Sequence, residues 1–287
     1  MHAWIKVAVF SLIISTFTAL LVFPTLLPFS PENSGWNGLS ILSSEVNLVK
    51  LTSLSYLKEV SARNYLLLIV APDKEFTLNE VEYIRDFLAR GGVVVVADDF
   101  GYANDLLSKL GVPLFLNGNI LADPVFRYKS SYLPKLIFID KKLLNVSSLQ
   151  LNYATFIEIG NSSSARVLAW SSCYSFVDLN ENRDYDEGEP KGRFPVIVEV
   201  DFGKGKIVLI ADSSVFINSM ILMEDNLKLI KQFAEDKTVL LDVSHWRYSE
   251  IIFFKAYIEY ILSIRDIRYI AFILIVMLIW KIKLKRK

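Results

Sequence analysis

Two uninterrupted apolar stretches stand near the ends of the chain, and short apolar runs alternating with helical patterns fill the middle. Val7 to Pro31 carries 25 residues without a charge. At ~1.5 Å per residue, Trp4 to Phe23 spans about 30 Å, the thickness of a bilayer core, and Lys6 at its start can snorkel. No A-x-A-like cleavage site follows, so an uncleaved anchor is expected. Tyr269 to Trp280 is uncharged. Ile267 to Leu284 reaches about 27 Å if Arg268, Lys281 and Lys283 snorkel. Just before it, Tyr248 to Ile264 reads as a mostly apolar helix with one polar stripe, Lys255, Glu259 and Ser263.

Between the ends, the pattern predicts an α/β domain. Tyr65 to Ala71 (YLLLIVA) and Val93 to Ala97 (VVVVA) are continuous apolar runs, as expected of parallel strands buried on both faces. Thr77 and Glu80 form a capping-box pattern that opens a helix to Arg90, with Val81, Ile84, Phe87 and Leu88 on one face and Gly91-Gly92 closing it. Tyr102 to Leu110 is a second helix, stopped by Gly111. Asn117 to Ala165 is irregular and reads as an insertion or a run of antiparallel strands. Arg166 to Ser171 is a strand, and Phe194 to Phe202 with Lys206 to Ala211 makes a hairpin about Gly203-Lys204-Gly205. Helical stretches are expected from Asp212 to Met223 and from Asn226 to Glu235, then a last strand at Val239 to Asp242. Strand–helix alternation makes a doubly wound, right-handed arrangement the default.

Composition changes the picture in three ways. Thirty-one basic and 31 acidic residues cancel, which argues against a nucleic-acid partner. A hydrophobic content of 53% and a mean hydropathy of +0.37 agree with membrane segments. Cys173 is the single cysteine, so no disulfide framework exists within the chain. The tail Lys281, Lys283, Lys285, Arg286 and Lys287 is basic, and positive charge beside a span stays in the cytoplasm. Both termini are therefore expected inside and the middle outside. The sequons Asn145-Val146-Ser147 and Asn161-Ser162-Ser163 are compatible with that placement. The expected organisation is an anchor at 1–31, an extracytoplasmic domain at 32–247, and a helix with a basic cytoplasmic tail at 248–287.

Three groups of residues resemble a known family. They are Gly35-Trp36-Asn37-Gly38-Leu39-Ser40; Pro72 to Glu80 with Gly91-Gly92 and Asp98-Asp99; and Gly203-Lys204-Gly205-Lys206-Ile207-Val208 leading into Asp212-Ser213-Ser214-Val215-Phe216-Ile217-Asn218. Together they look like an uncharacterised prokaryotic membrane family, domain of unknown function 4350, over about residues 32–245. The resemblance implies a flavodoxin-like, class I glutamine amidotransferase-like domain: a mostly parallel sheet with an antiparallel or irregular insertion, here flanked by two membrane helices. It also implies a gene neighbourhood of MoxR-type ATPases, von Willebrand A-like proteins and transglutaminase-like membrane proteins, hence membrane-protein partners.

A working amidotransferase needs a cysteine on a strand-to-helix turn, activated by histidine. Here the strand ends in Asp98-Asp99-Phe100-Gly101. Cys173 follows a different strand and is expected as a small buried hydrophobe. The expectation is a catalytically inactive domain that binds a ligand or protein; the competing one is an extracytoplasmic hydrolase working through an acidic rim. Ligands of open α/β sheets sit beyond the carboxyl ends of strands. That rule places Asp73, Asp98, Asp99, Asp212, Ser213 and His245 at one rim, as a polar pocket for a ligand or cation, although capping of turns and helices is the commoner role of Asp and Ser at strand ends and suffices for Asp212-Ser213-Ser214. Trp36 and Asn37 are expected to pin the loop that leaves the membrane.

Asp178 to Glu189 (DLNENRDYDEGE) follows the calcium-loop pattern at its ligand positions. Asp178, Asn180 and Asn182 take positions one, three and five. Asp184 offers its carbonyl at seven, Asp186 stands at nine and Glu189 at twelve. Six carboxylates share this loop with one arginine. Arg183 replaces the glycine expected at position six, at a cost on the order of 1 kcal/mol if φ is positive. The loop joins strands, so any Ca²⁺ would act structurally. A solvated acidic loop is the alternative.

Overall fold

The computed structural model describes residues 27–161 and 164–247, together with Phe10, Ser11 and Ser15. The expected spans and the Tyr248–Ile264 helix lie outside these residues. Among the described residues, no helix is long and apolar enough to cross a membrane. Leu26–Arg247 forms one compact unit.

The two apolar runs become strands: β2 (Tyr65–Val70) and β3 (Val93–Ala97) follow α1 (Ser40–Glu45) and the edge strand β1 (Leu48–Leu51), with α2 (Leu78–Ala89) lying between β2 and β3. Leu66, Leu67, Leu68 and Val70 are fully buried, as are Val94, Val95, Val96 and Ala97. The remaining elements are α3 (Ala103–Leu110), β4 (Leu114–Leu116), β5 (Ile120–Ala122), β6 (Lys135–Leu136), β7 (Phe138–Ile139), β8 (Leu149–Gln150), β9 (Ile157–Ile159), β10 (Ala165–Trp170), β11 (Phe176–Asp178), β12 (Pro195–Phe202), β13 (Gly205–Ile210), α4 (Asn226–Ala234) and β14 (Thr238–Asp242). Burying a Leu or Val side chain contributes about 1.5–3 kcal/mol, so β2 and β3 form the centre of the core with the equally buried β13 and β14 beside them.

The central sheet has eight strands in the order β1-β14-β2-β3-β13-β12-β10-β7. From β1 to β13 every pairing is parallel. From β13 onward every pairing is antiparallel. The class is therefore mixed α/β with a mostly parallel sheet. The α2 capping box forms as the spacing predicts: Thr77 Oγ1 accepts the Glu80 N–H, and Glu80 Oε2 accepts the Thr77 N–H at 2.8 Å.

The motifs that carry the family resemblance meet one another in space. A Cβ on Gly205 would stand 2.2 Å from the Gly92 carbonyl oxygen, so the β12–β13 hairpin can lie against the end of α2 only with glycine there. Asn218 joins the other two segments. Its Nδ2 donates to the carbonyls of Asn33 and Gly35, and its Oδ1 accepts from the Ile41 N–H. The 212–223 segment, expected as one helix, departs from that: Ser213–Phe216 is a 3₁₀ helix, Ile217 goes extended, and residues 218–222 follow as turns. The 28–40 loop is also held differently than expected. Fully buried Asn33 and half-buried Asn218 pin it, while Trp36 is 69% exposed.

The irregular stretch after Asn117 is an insertion of short antiparallel strands: β6 pairs with β8 inside it, β9 with β4 just before it and β5 with β11 beyond it, while β7 joins the edge of the central sheet. Buried polar groups stitch it to the body. Asn226 exchanges hydrogen bonds with the Gln150 backbone, and the N–H groups of Asn152 and Thr155 reach Asp212 Oδ2 and the Ala211 carbonyl.

Candidate functional site

The rim residues stand at the carboxyl ends of β3, β13, β2 and β14, but they divide into two groups. Asp98 and Asp99 follow β3, and Asp212 and Ser213 follow its neighbour β13. The Ser213 hydroxyl lies 3.3 Å from both Asp99 oxygens. The second group sits where β2 and β14 end, with the Asp73 N–H donating to the His245 carbonyl at 2.9 Å. Loops of the two groups touch where the Tyr102 N–H donates to the Pro72 carbonyl and the Phe76 N–H to Asp105 Oδ2.

In the first group the carboxylates are occupied by backbone. Asp98 Oδ1 accepts the N–H groups of Asp99 and Gly101, and its Oδ2 that of Ala103 at the start of α3. Asp212 Oδ1 accepts from Ser214 and Oδ2 from Asn152, both at 2.7 Å. Burial pushes Asp98 up to about 6, against its three backbone donors, and the charge of Asp99 adds to the rise. Burial raises Asp99 as well. Asp212 is held well above the usual carboxylate range by complete burial and by the charge of Asp99. The Asn152 segment of the insertion seals Asp212, leaving Asp99 and the exposed Phe100 as the accessible part of this group.

In the second group, buried His245 is clamped. Its Nδ1 lies 2.6 Å from Asp242 Oδ2, its Nε2 lies 3.6 Å from Glu80 Oε2, and its ring stacks on Phe76 with centroids 3.8 Å apart. His245 thereby fastens the end of β14 to the capping box of α2. The Trp246 indole donates to the Val70 carbonyl, closing the same seam. Asp73 Oδ1 is buried without a hydrogen-bond partner.

Cys173 is exposed rather than buried. It lies just past β10, five strands from β14 in the sheet. At ~4.8 Å per strand that is about 24 Å from His245, far beyond a catalytic dyad. The polar residues buried beside it are Ser172 and Ser175, whose hydroxyls donate to Asp123 Oδ2 at 2.5 and 3.0 Å. Asp123 Oδ1 accepts the N–H groups of Val125 and Phe126. Nothing in the local pattern around Asp123 pointed to this cluster, because its partners lie about fifty residues away.

The acidic loop projects from a stapled base. Asp178 ends β11, the Val177 N–H donates to the Pro190 carbonyl, and the Gly192 N–H donates to the Ser175 carbonyl. Residues 179–188 are exposed, whereas Asp178 and Glu189 are buried. Asp178 Oδ2 accepts from the Tyr132 hydroxyl at 2.5 Å and from the Arg183 N–H at 2.7 Å. Burial alone would raise Asp178, yet the Tyr132 hydroxyl and the Arg183 N–H hold it below its ordinary value. Arg183 adopts φ 74°, the left-handed conformation that a glycine would favour. Asn180 and Asn182 both donate through Nδ2 to Asp186 Oδ2, and the Glu189 oxygens accept from the Leu179 and Asp186 N–H groups. Among the described residues, no three His, Cys, Asp or Glu side chains already converge as a metal cluster. A separate groove of about 400 Å³ lies between the end of α3 and the β4–β9 pair, bordered by Ser108, Phe115 and Glu158. Neither acidic region contributes to its wall.

Structural similarity to solved proteins is broad and shallow. The mmIFT52 N-terminal domain aligns with a TM-score of 0.48 and 14% identity over 65% of this chain and 81% of its own. Cytoplasmic Protein STM1381 from Salmonella typhimurium LT2 aligns with a TM-score of 0.38 and 12% identity over 70% of this chain and 80% of its own. The beta-galactosidase from Bacillus circulans sp. alkalophilus aligns at 0.35 and 14%, over 61% of this chain and 23% of its own. The chain thus spans about a quarter of that glycosidase's length, and none of these likenesses carries a functional argument. No match occurs among curated proteins. A family profile does match, however, over residues 28–234, and its description is "Domain of unknown function (DUF4350)". The chain belongs to that family.

Proposed function

We propose that the protein is a membrane-held, extracytoplasmic binding domain whose amidotransferase-like, flavodoxin-like scaffold does not catalyse a reaction. The observation that carries this reading is how the rim polar groups are spent. Asp98 and Asp212 bind five backbone N–H groups between them, and His245 is buried between Asp242 and Glu80. A general base must reach a substrate proton, and a nucleophile needs a base within hydrogen-bond reach. Neither condition is met around Cys173 or His245. The uncharged stretches at the two ends and the basic tail support the membrane placement. Asp99 and the exposed Phe100 form the accessible surface where a protein partner would engage. A partner from a MoxR-type ATPase gene neighbourhood fits the family resemblance.

A hydrolase is the competing reading. One observation favours it: Asp98, Asp99 and Asp212 all have raised pKa values, and such clusters occur at catalytic sites. The two readings part in one experiment on the full chain in native membranes. A photo-crosslinker replacing Phe100 is expected to capture a discrete partner, and the protein is expected to resist carbonate extraction. Turnover of chromogenic ester, amide or glycoside substrates that disappears in Asp99→Asn would overturn the binding reading. Release by carbonate would overturn the anchoring.

A further inference from the structure

We propose that the Asp178–Glu189 loop is a calcium site that locks the base of the insertion to the antiparallel half of the sheet. Two independent observations carry it. The first is the ligand order in the sequence: oxygen-bearing side chains at positions one, three, five, nine and twelve, with a backbone carbonyl available at seven. The second is Asp178 itself. It is 2% exposed, and its Oδ1 has no hydrogen-bond partner. A buried carboxylate oxygen left unpaired costs free energy, and a cation is the partner it lacks.

The carboxylate points into the loop, because Oδ2 is fixed from that side by the Arg183 N–H and from the other by the Tyr132 hydroxyl. That division of labour leaves Oδ1 free to ligate. The backbone is already curled, with Glu181 at φ 60° and Arg183 at φ 74°. The strain that Arg183 would otherwise cause is therefore already accepted in the fold. Asn180 and Asn182 reach inward to Asp186 Oδ2 at 2.7 and 2.6 Å. Their Oδ1 atoms accept the N–H groups of Asn182 and Asp184 at 3.1 and 2.8 Å, so a half-turn of each amide on binding would exchange those bonds for ligation, with Asp186 facing the ion beside them. Glu189 is buried at the exit of the loop with its oxygens on the Leu179 and Asp186 N–H groups, and it would ligate from the twelfth position by giving up one of them. An all-oxygen donor set of carboxylates, amides and a carbonyl suits a hard cation, and a flexible loop favours Ca²⁺ over Mg²⁺, which demands near-ideal octahedral geometry.

Occupancy has a structural consequence. Tyr132 and Ser131 belong to the insertion, and both bond to this loop, Tyr132 to Asp178 and Ser131 Oγ to the Arg183 carbonyl at 3.1 Å. Fixing the loop fixes the insertion, and the insertion seals Asp212. The affinity class, about 10⁻⁴–10⁻³ M, suits an extracellular module; this one point rests on the placement proposed above, and the existence of the site does not.

The test uses the full-length chain in detergent. Terbium luminescence excited through tyrosine should appear, since Tyr185 lies within the loop, and Ca²⁺ should compete it away. Ca²⁺ at ten times its dissociation constant should raise the melting temperature by about 3–5 °C, with Mg²⁺ giving less than a third of that. Asn180→Ala with Asp186→Ala changes only exposed side chains and should abolish both signals. Asp178→Asn is the more direct variant, but its burial makes folding the first thing to check. Absence of terbium luminescence together with an unchanged melting temperature would overturn the proposal. So would an equal response to Mg²⁺, or a calcium response that survives in the double variant.

Discussion

The protein carries two acidic regions that look alike in composition and differ in physics. At the ends of β3 and β13, Asp98 and Asp212 are almost completely buried, and each satisfies backbone N–H groups that would otherwise be orphaned at turns and at the start of α3. In the 178–189 loop most carboxylates face solvent, and the one that is deeply buried keeps an oxygen without a partner. The first set is pushed up in pKa by burial, whereas Asp178 is held down by its donors. A carboxylate's role is therefore set by which groups face it and by how much water they exclude. The number of acidic neighbours in the sequence does not decide it.

The widest gap between the two regions should appear on truncation. Asp98→Ala strips three backbone N–H groups of their acceptor and should cost about 3 kcal/mol. Asp186→Ala, in metal-free buffer, should stay within about 0.5 kcal/mol. Urea denaturation of both variants measures this directly, and similar costs would erase the distinction.

A pH series sharpens it further. Asp98 titrates near 6 in the folded protein, above its ordinary unfolded value. The folded state then holds the proton more tightly, so this stability is complete below the unfolded pKa and is lost as pH rises through about 6. Asp99 and Asp212 act in the same direction. Asp178 acts oppositely, losing its contribution only as pH falls through its lowered value. Stability should fall on the order of 2 kcal/mol from pH 5 to pH 7.5, and Asp98→Ala should flatten the slope. A melting temperature that rises over that range would contradict the burial argument.

The smallest effect concerns Cys173, which adjoins the buried Asp123–Ser172–Ser175 cluster yet is itself exposed. Cys173→Ser should change stability by less than about 0.5 kcal/mol, and the folded protein should react with maleimide as fast as a free thiol does. Slow labelling would return Cys173 to the interior.

The sequence by itself determined the local features. The two apolar runs became β2 and β3 because continuous burial is written in consecutive residues. The Thr77–Glu80 box formed because a cap needs only three residues of spacing. The helix from Asn226 and the β12–β13 hairpin follow from the same short-range rules. The oxygen ladder at 178–189 was legible for the same reason, since its donors repeat every second residue. Only the tertiary structure decided which strands adjoin, that the sheet turns antiparallel after β13, that Asn152 seals Asp212, and that His245 serves Asp242 and Glu80. It also decided that Cys173 faces solvent and that Asn33 and Asn218, not Trp36, hold the 28–40 loop. Each of these depends on groups far apart along the chain, brought together by strand pairing and burial, and a residue's neighbours in sequence carry no record of such partners.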